Sequence, residues 1–260
     1  MEFLSVGEGA HVRRIALEQR EGKAPGLFWL GGFKSDMAGS KASALDMIGK
    51  KTGLGVTRFD YSGHGQSEGA FLEGTISDWL EECIAVFLKK TRGEQILVGS
   101  SMGGWLALLL NRYLQNKDEG RVKALVLIAP AVDMTQDLMR AAFTPEELEM
   151  LEKQGRIEQP SDYDEPYILT KKLIEDGEKH LLFSDHLATG CPVHILQGGR
   201  DEAVPVSHAQ KLVSHLLLDP VTLTLVPDGD HSLSREQDLE LLERTIIQAA
   251  GAESRREKGA

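Results

Sequence analysis

The stretch QILVGSSMGGWLALLLNRYL, residues 95–114, constrains the fold more than any other part of the chain. Strand-forming residues run through a tight Gly- and Ser-rich turn into a helix that is apolar nearly all round. Such a helix must be buried, and a strand without polar alternation is covered on both faces. A mostly parallel sheet with helices packed above and below satisfies both demands. The same reading extends to PGLFWLGG (25–32), VTRFDYSG (56–63), VKALVLIAP (122–130), CPVHILQGG (191–199) and VTLTLVPDG (221–229), with helical spacing between them. Short strands near 2–6 and 13–19 bring the expected sheet to eight strands.

Helix signals punctuate this alternation. Ser40 is placed to cap a helix that Gly53 ends, and Thr75 with Asp78 opens another. Ser234 and Gln237 have the spacing of a capping box for the last helix, before a charged tail, ESRREKGA. The exception to the alternation is 131–190, where Thr144, Pro145 and Glu147 start one helix and YILTKKLIEDG reads as a second, with no strand pattern. The expectation is one α/β domain over 1–260, with 131–190 inserted between two strands as a helical cap. A chain of 260 residues buries one such core comfortably.

Net charge is −11, which disfavours nucleic acid and anionic membranes as partners, since both reward clustered Lys and Arg. Cys83 and Cys191 are the only cysteines; they form no disulfide framework and no metal-ligand spacing, so no metal or cofactor is expected. No apolar run is long enough to span a bilayer, and MEFLSVGEGAHVRR lacks the apolar core of a signal peptide, so the expected location is cytoplasmic.

Two stretches fit Gly-x-Ser-x-Gly, the pattern that presents a serine nucleophile on a strained strand-to-helix turn: GQSEG (65–69) and GSSMG (99–103). GQSEG follows Gly63, His64 and Gly65, already outside a strand, and leads into no helical face. GSSMG has a strand before it and a helix after it, which selects Ser101. Of eight histidines, His231 in PDGDHSL lies between the last strand and the last helix, where α/β sheets keep their chemistry. Asp201 in LQGGRDEAVP precedes it, giving the order Ser, Asp, His; Asp133, one strand earlier, is the rival acid. An oxyanion hole needs two backbone N–H groups, and Met102 after the nucleophile and Phe33 after Gly31-Gly32 supply the candidates. Lys34 beside Phe33 is either a contact for an anionic group or a solvated cation.

From about residue 25 to 250 the chain resembles the serine α/β-hydrolases. GGFKSDMAGSKA, RFDYSGHGQSEG, ILVGSSMGGWLAL and CPVHILQGGRDEAVP with its later Asp-His carry the resemblance. The first two are similar to a subgroup of acyl-protein thioesterases and acyl-glucuronide esterases. The resemblance implies the α/β-hydrolase fold, a triad of Ser101, Asp201 and His231, and oxyanion donors at Phe33 and Met102. It also implies that GQSEG and His64 belong to a structural loop. The expected activity is hydrolysis of a small-molecule ester or acyl thioester, S-acylated proteins included. Amide hydrolysis and a non-catalytic ligand-binding role are the alternatives. Leu138, Met139, Phe143, Leu148, Met150, Leu151, Ile168, Leu169 and Leu173 either line an acyl pocket or pack the cap upon itself.

Overall fold

A computed structural model of the chain describes residues 1–159 and 167–251; the charged tail at 253–260 lies outside them. The first six strands are β1 (Glu2–Val6), β2 (Arg13–Arg20), β3 (Lys23–Leu30), β4 (Leu54–Phe59), β5 (Gln95–Ser100) and β6 (Val122–Ile128). The helices between them are α1 (Ser40–Thr52), α2 (Ile76–Lys90) and α3 (Met102–Asn116). After β6 the chain leaves the sheet through α4 (Pro145–Gln154), β7 (Arg156–Gln159), β8 (Tyr167–Thr170) and α5 (Lys171–Gly177). It returns as β9 (Val193–Gly198), α6 (Val206–His215), β10 (Val221–Val226) and α7 (Glu236–Ala250).

The eight strands lie in the order β1-β2-β4-β3-β5-β6-β9-β10. β2 pairs antiparallel with β1 and β4, and every other pair is parallel. From β3 the chain moves outward to β4, then crosses back to lay β5 on the other side of β3. The loops leaving β3 and β5 therefore diverge, and the crevice between them is the switch point where open α/β sheets bind ligands.

The unbroken apolar runs follow from burial on both faces. Phe28, Leu30, Leu97, Leu125 and Leu127 point to one core with Trp79 and Phe87 of α2 and Trp105 of α3. Leu27, Trp29, Ile96, Val98, Ala124 and Val126 point to the other, with Leu45 of α1 and Leu242 and Ile246 of α7. Eleven of the fifteen residues of α3 are buried, so Trp105→Ala would cost about 3–5 kcal/mol.

Three local expectations change. The inserted segment contains a strand pair, β7 and β8, in antiparallel register from Arg156↔Thr170 to Gln159↔Tyr167. YILT, with its Tyr, Ile and Thr, takes β geometry, and only Lys171–Gly177 is helical. At α7 the cap sits one residue later than Ser234 and Gln237. Asp238 accepts from the Arg235 backbone N–H and from its guanidinium, whereas Ser234 Oγ is committed to Ser232. At α1 the capping position falls to Gly39, and Ser40 is the first helical residue, its neighbour Lys41 reaching across to the loop that follows β10.

Candidate active site

Backbone strain is concentrated at the carboxyl edge of the sheet. Among the described residues, six non-glycines have positive φ, and five of them (Lys34, Ser101, Ala129, Asp133 and Leu233) follow β3, β5, β6 or β10. Ser101, at φ 54° and ψ −120°, ends β5 and caps α3. Such a conformation costs about 1–3 kcal/mol and persists only where the surroundings enforce it. Here its N–H donates to Ile128 O at 2.9 Å, and its carbonyl accepts from Gly104 N at 2.9 Å and Ala131 N at 3.1 Å. The flanking glycines are obligatory: a Cβ on Gly99 would lie 2.3 Å from Gly103 O, and one on Gly103 would lie 2.0 Å from Leu30 O. The first turn of α3 thus presses directly on the end of β3.

His231 stands on the loop after β10 and bridges the other two residues. Its Nδ1 lies 2.8 Å from Asp201 Oδ2 and its Nε2 lies 3.1 Å from Ser101 Oγ. Asp201, 6 % exposed after β9, also accepts from Ala203 N at 3.0 Å and Val204 N at 2.7 Å on Oδ1, and from Gln197 Nε2 at 3.1 Å on Oδ2. A carboxylate ringed by donors makes Nδ1 of His231 the proton-bearing nitrogen and leaves Nε2 to accept from the serine hydroxyl. The two loops lean on each other, since a Cβ on Gly198 would sit 2.4 Å from Asp230 O and one on Gly199 would sit 2.5 Å from Pro227 O. The Lys41 ammonium donates to Ser232 O beside the histidine, and burial pushes its pKa down against the nearby Asp230 and Asp238.

Phe33 and Met102 flank the serine. A Cβ on Gly32 would lie 3.3 Å from Ser101 Cβ, so the Gly32 backbone passes beside the serine side chain and Phe33 follows it directly. Met102, the first residue of α3, has an N–H that the helix leaves unpaired. The Phe33 ring packs on both the main core and the core of the inserted segment, with its centroid 4.8 Å from Phe71 and 6.4 Å from Tyr167.

The rivals are engaged elsewhere. Ser67 of GQSEG donates to Asp60 O at 2.6 Å and accepts from Ala16 N at 2.8 Å, and its role is to pin its loop to β2. Asp133 accepts from Leu182 N at 2.8 Å and Phe183 N at 2.9 Å, closing the base of the inserted segment, and burial raises its pKa. His208 bonds Val132 O at 2.9 Å, and His215 bonds Lys211 O at 2.9 Å. The Lys34 ammonium stands 4.5 Å from the Tyr167 ring and 5.6 Å from the Phe71 ring. Phe143, Leu151 and Leu169 pack with Ile157 and Ile174 in the segment's own core, Leu148 and Met139 lean on it, Leu173 joins the main core with Leu138 beside it, and Met150 is exposed. Gln197, Lys41 and Asp60 escape sequence reasoning; a Gln inside an otherwise apolar strand end is the signal that could have found the first.

Comparison with known proteins places the chain among hydrolases. Residues 42–172 match the family described as "Serine aminopeptidase, S33". The chain is 34% identical over 236 residues to the mitochondrial palmitoyl-protein thioesterase ABHD10 of Bos taurus, covering 89% of this chain and 75% of that one. Alpha/beta hydrolase domain-containing protein 10 from mouse superposes with a TM-score of 0.84 at 30% identity, over 95% of this chain and 98% of that one. A crystal structure from Agrobacterium vitis S4, of a protein named only as a hydrolase, superposes with a TM-score of 0.93 at 46% identity, over 96% and 98%. Among the described residues, no helix is long and apolar enough to cross a membrane.

Proposed function

The chain belongs to the α/β-hydrolase family described as serine aminopeptidase S33, and we propose that it cleaves carboxylic esters or acyl thioesters through an acyl-enzyme on Ser101. The observation that carries this reading is the single imidazole held 2.8 Å from a buried carboxylate and 3.1 Å from a strained serine. His231 Nε2 takes the hydroxyl proton as Oγ attacks the acyl carbonyl, and the Asp201 carboxylate stabilises the imidazolium that forms. The carbonyl oxygen becomes an oxyanion that accepts from the Phe33 and Met102 N–H groups; losing one such donor costs about 10²- to 10³-fold. His231 then returns the proton to the departing alcohol or thiol. Water attacks the acyl-enzyme by the same steps and releases the acid. The thioesterase name of the mammalian relatives supports acyl thioesters, S-acylated proteins among them, as the substrate class to try first. The family description supports amides as the second.

The test is kcat/KM on acyl chains from acetyl to palmitoyl, each as an oxygen ester, a thioester and an anilide, with Ser101→Ala in parallel. Turnover of esters or thioesters that vanishes in Ser101→Ala is the expected result. Turnover of anilides alone would move the activity to peptide-like substrates. Turnover that survives Ser101→Ala would remove the serine from the reaction.

A further inference from the structure

The loop DYSGHGQS holds the most buried histidine of the described chain, and the reaction above makes no use of it. His64 is 4 % exposed. Its Nδ1 lies 3.1 Å from the Ser62 carbonyl oxygen, and its Nε2 lies 3.2 Å from the backbone nitrogen of Lys34. A carbonyl can only accept and an amide N–H can only donate. The ring must therefore be neutral, with its proton on Nδ1 and its lone pair on Nε2 turned toward Lys34. Rings of Tyr61, Trp79 and Phe71 stand at centroid distances of 5.6, 5.3 and 5.1 Å and fix its plane. Ser62 is held in turn, its N–H by Glu82 Oε2 at 2.9 Å and its carbonyl by Trp79 Nε1 at 3.2 Å.

Lys34 follows Phe33, and its φ of 60° is one a lysine adopts only under constraint. Two further bonds tie the same β3–α1 loop to this region: Asp60 Oδ1 accepts from Met37 N at 2.6 Å, and Arg58 Nη1 donates to Met37 O at 2.8 Å. Asp60 Oδ2 accepts from Gln66 N at 2.8 Å and so braces the histidine's own loop. Gly65 is required for that cradle, because a Cβ there would lie 2.1 Å from Asp60 Oδ2.

We propose that His64 is a positioning residue for the oxyanion hole: by accepting the Lys34 N–H it fixes the Phe33-Lys34 peptide and, through the Phe33 backbone, the adjoining Gly32-Phe33 peptide whose N–H faces the developing oxyanion. The proposal rests on the ester-hydrolase reading of the same site. Burial pushes the ring down to about 4, in keeping with a group that stays neutral where the catalytic base works. His64 touches no reacting atom; it acts through one peptide unit, and its loss should fall on kcat and spare KM.

The experiment compares wild type, His64→Leu and His64→Gln on one p-nitrophenyl acyl ester, with active sites counted by a fluorophosphonate so that kcat is per competent enzyme. Loss of folded protein lowers the titre and leaves the per-site kcat alone. Leucine removes the acceptor and should lower per-site kcat by about 10- to 100-fold with KM within about threefold, part of the loss of one oxyanion donor. Glutamine returns an acceptor oxygen near the Nε2 position and should recover kcat to within about fivefold of wild type. Affinity for a boronic acid that forms the tetrahedral adduct should fall in His64→Leu by the same factor as kcat/KM. A His64→Leu enzyme with wild-type per-site kcat, or a Gln variant as slow as the Leu variant, overturns the positioning role alone. A wild type that turns over no ester or thioester overturns the hydrolase reading and the positioning role together.

Discussion

Two places in this molecule bring a serine, a histidine and an aspartate within reach of one another. At the carboxyl edge of the sheet, His231 is the hub, with Asp201 on one nitrogen and Ser101 on the other. Where α5 meets α2, the serine is the hub. Ser77 donates its N–H to Asp176 at 2.8 Å, and its Oγ lies 2.9 Å from the same carboxylate and 2.7 Å from His180 Nε2. Burial alone would raise Asp176, but the Ser77 bonds and the Lys179 ammonium at 2.9 Å outweigh it and hold the carboxyl below its usual range. The lone hydroxyl proton goes to that carboxylate, so His180 must donate to Oγ and cannot take a proton from it. Ser77 also sits in an ordinary helical turn, without the strain that lifts Ser101 above its sheet. Composition is the same in the two clusters, and the order of the bonds separates a candidate catalytic site from a clamp.

Breaking the first cluster should have by far the larger consequences. Ser101→Ala is expected to lower kcat/KM by about 10⁶-fold while the melting temperature holds, because alanine keeps the Cβ and the same backbone turn and loses only the hydroxyl. An activity loss under tenfold would dismiss the hub at His231. Asp201→Asn should keep the fold and cost about 10⁴-fold in kcat, since an amide in place of the carboxylate favours the wrong tautomer of His231. Wild-type turnover in that variant, read in the same ester assay, would show that the Nδ1 contact is dispensable. The clamp should answer differently. Ser77→Ala removes one charge-assisted bond and should cost about 1–2 kcal/mol in a denaturant titration, with kcat within about twofold. A large fall in kcat with unchanged stability would reverse the assignment of the two clusters.

The smallest expected effect is acidic. Burial pushes His180 below its ordinary value, so the unfolded chain binds a proton there more readily than the native one. Stability from this group is complete above about pH 6.5 and drains as pH falls toward the native value; the share from Asp176 follows below about pH 4. Melting temperatures from pH 7.5 to 4.5 should fall less steeply in His180→Gln than in wild type. Identical slopes would separate the clamp from the acid sensitivity of the fold.

The sheet and the strained turn at Ser101 were legible because they rest on local signals: apolar runs, and glycines at fixed offsets from Ser101 where any Cβ would strike backbone. That His231 and Asp201 would meet Ser101 was legible from chain order and loop position. The strand pair in the insertion was not, because four-residue strands carry no periodicity that separates them from a helix end. Lys41 and the clamp at Ser77 were out of reach for another reason. Their partners lie 191 and 99 positions away, through contacts that only the folded chain creates. Similarly, His64 was legible as belonging to a loop, but the amide it serves lies thirty residues upstream.

The parts of the site are strung along the chain at 33, 101–102, 201 and 231, the last two on loops after β9 and β10 at one end of the strand order. A refolding chain that has assembled β1 to β6 and α3 but not yet docked β9 and β10 would hold Ser101 on its turn and still be chemically silent. All three tryptophans, at 29, 79 and 105, belong to that early portion. In refolding, their fluorescence should recover ahead of turnover, and the lag between the two measures how long β9 and β10 take to dock.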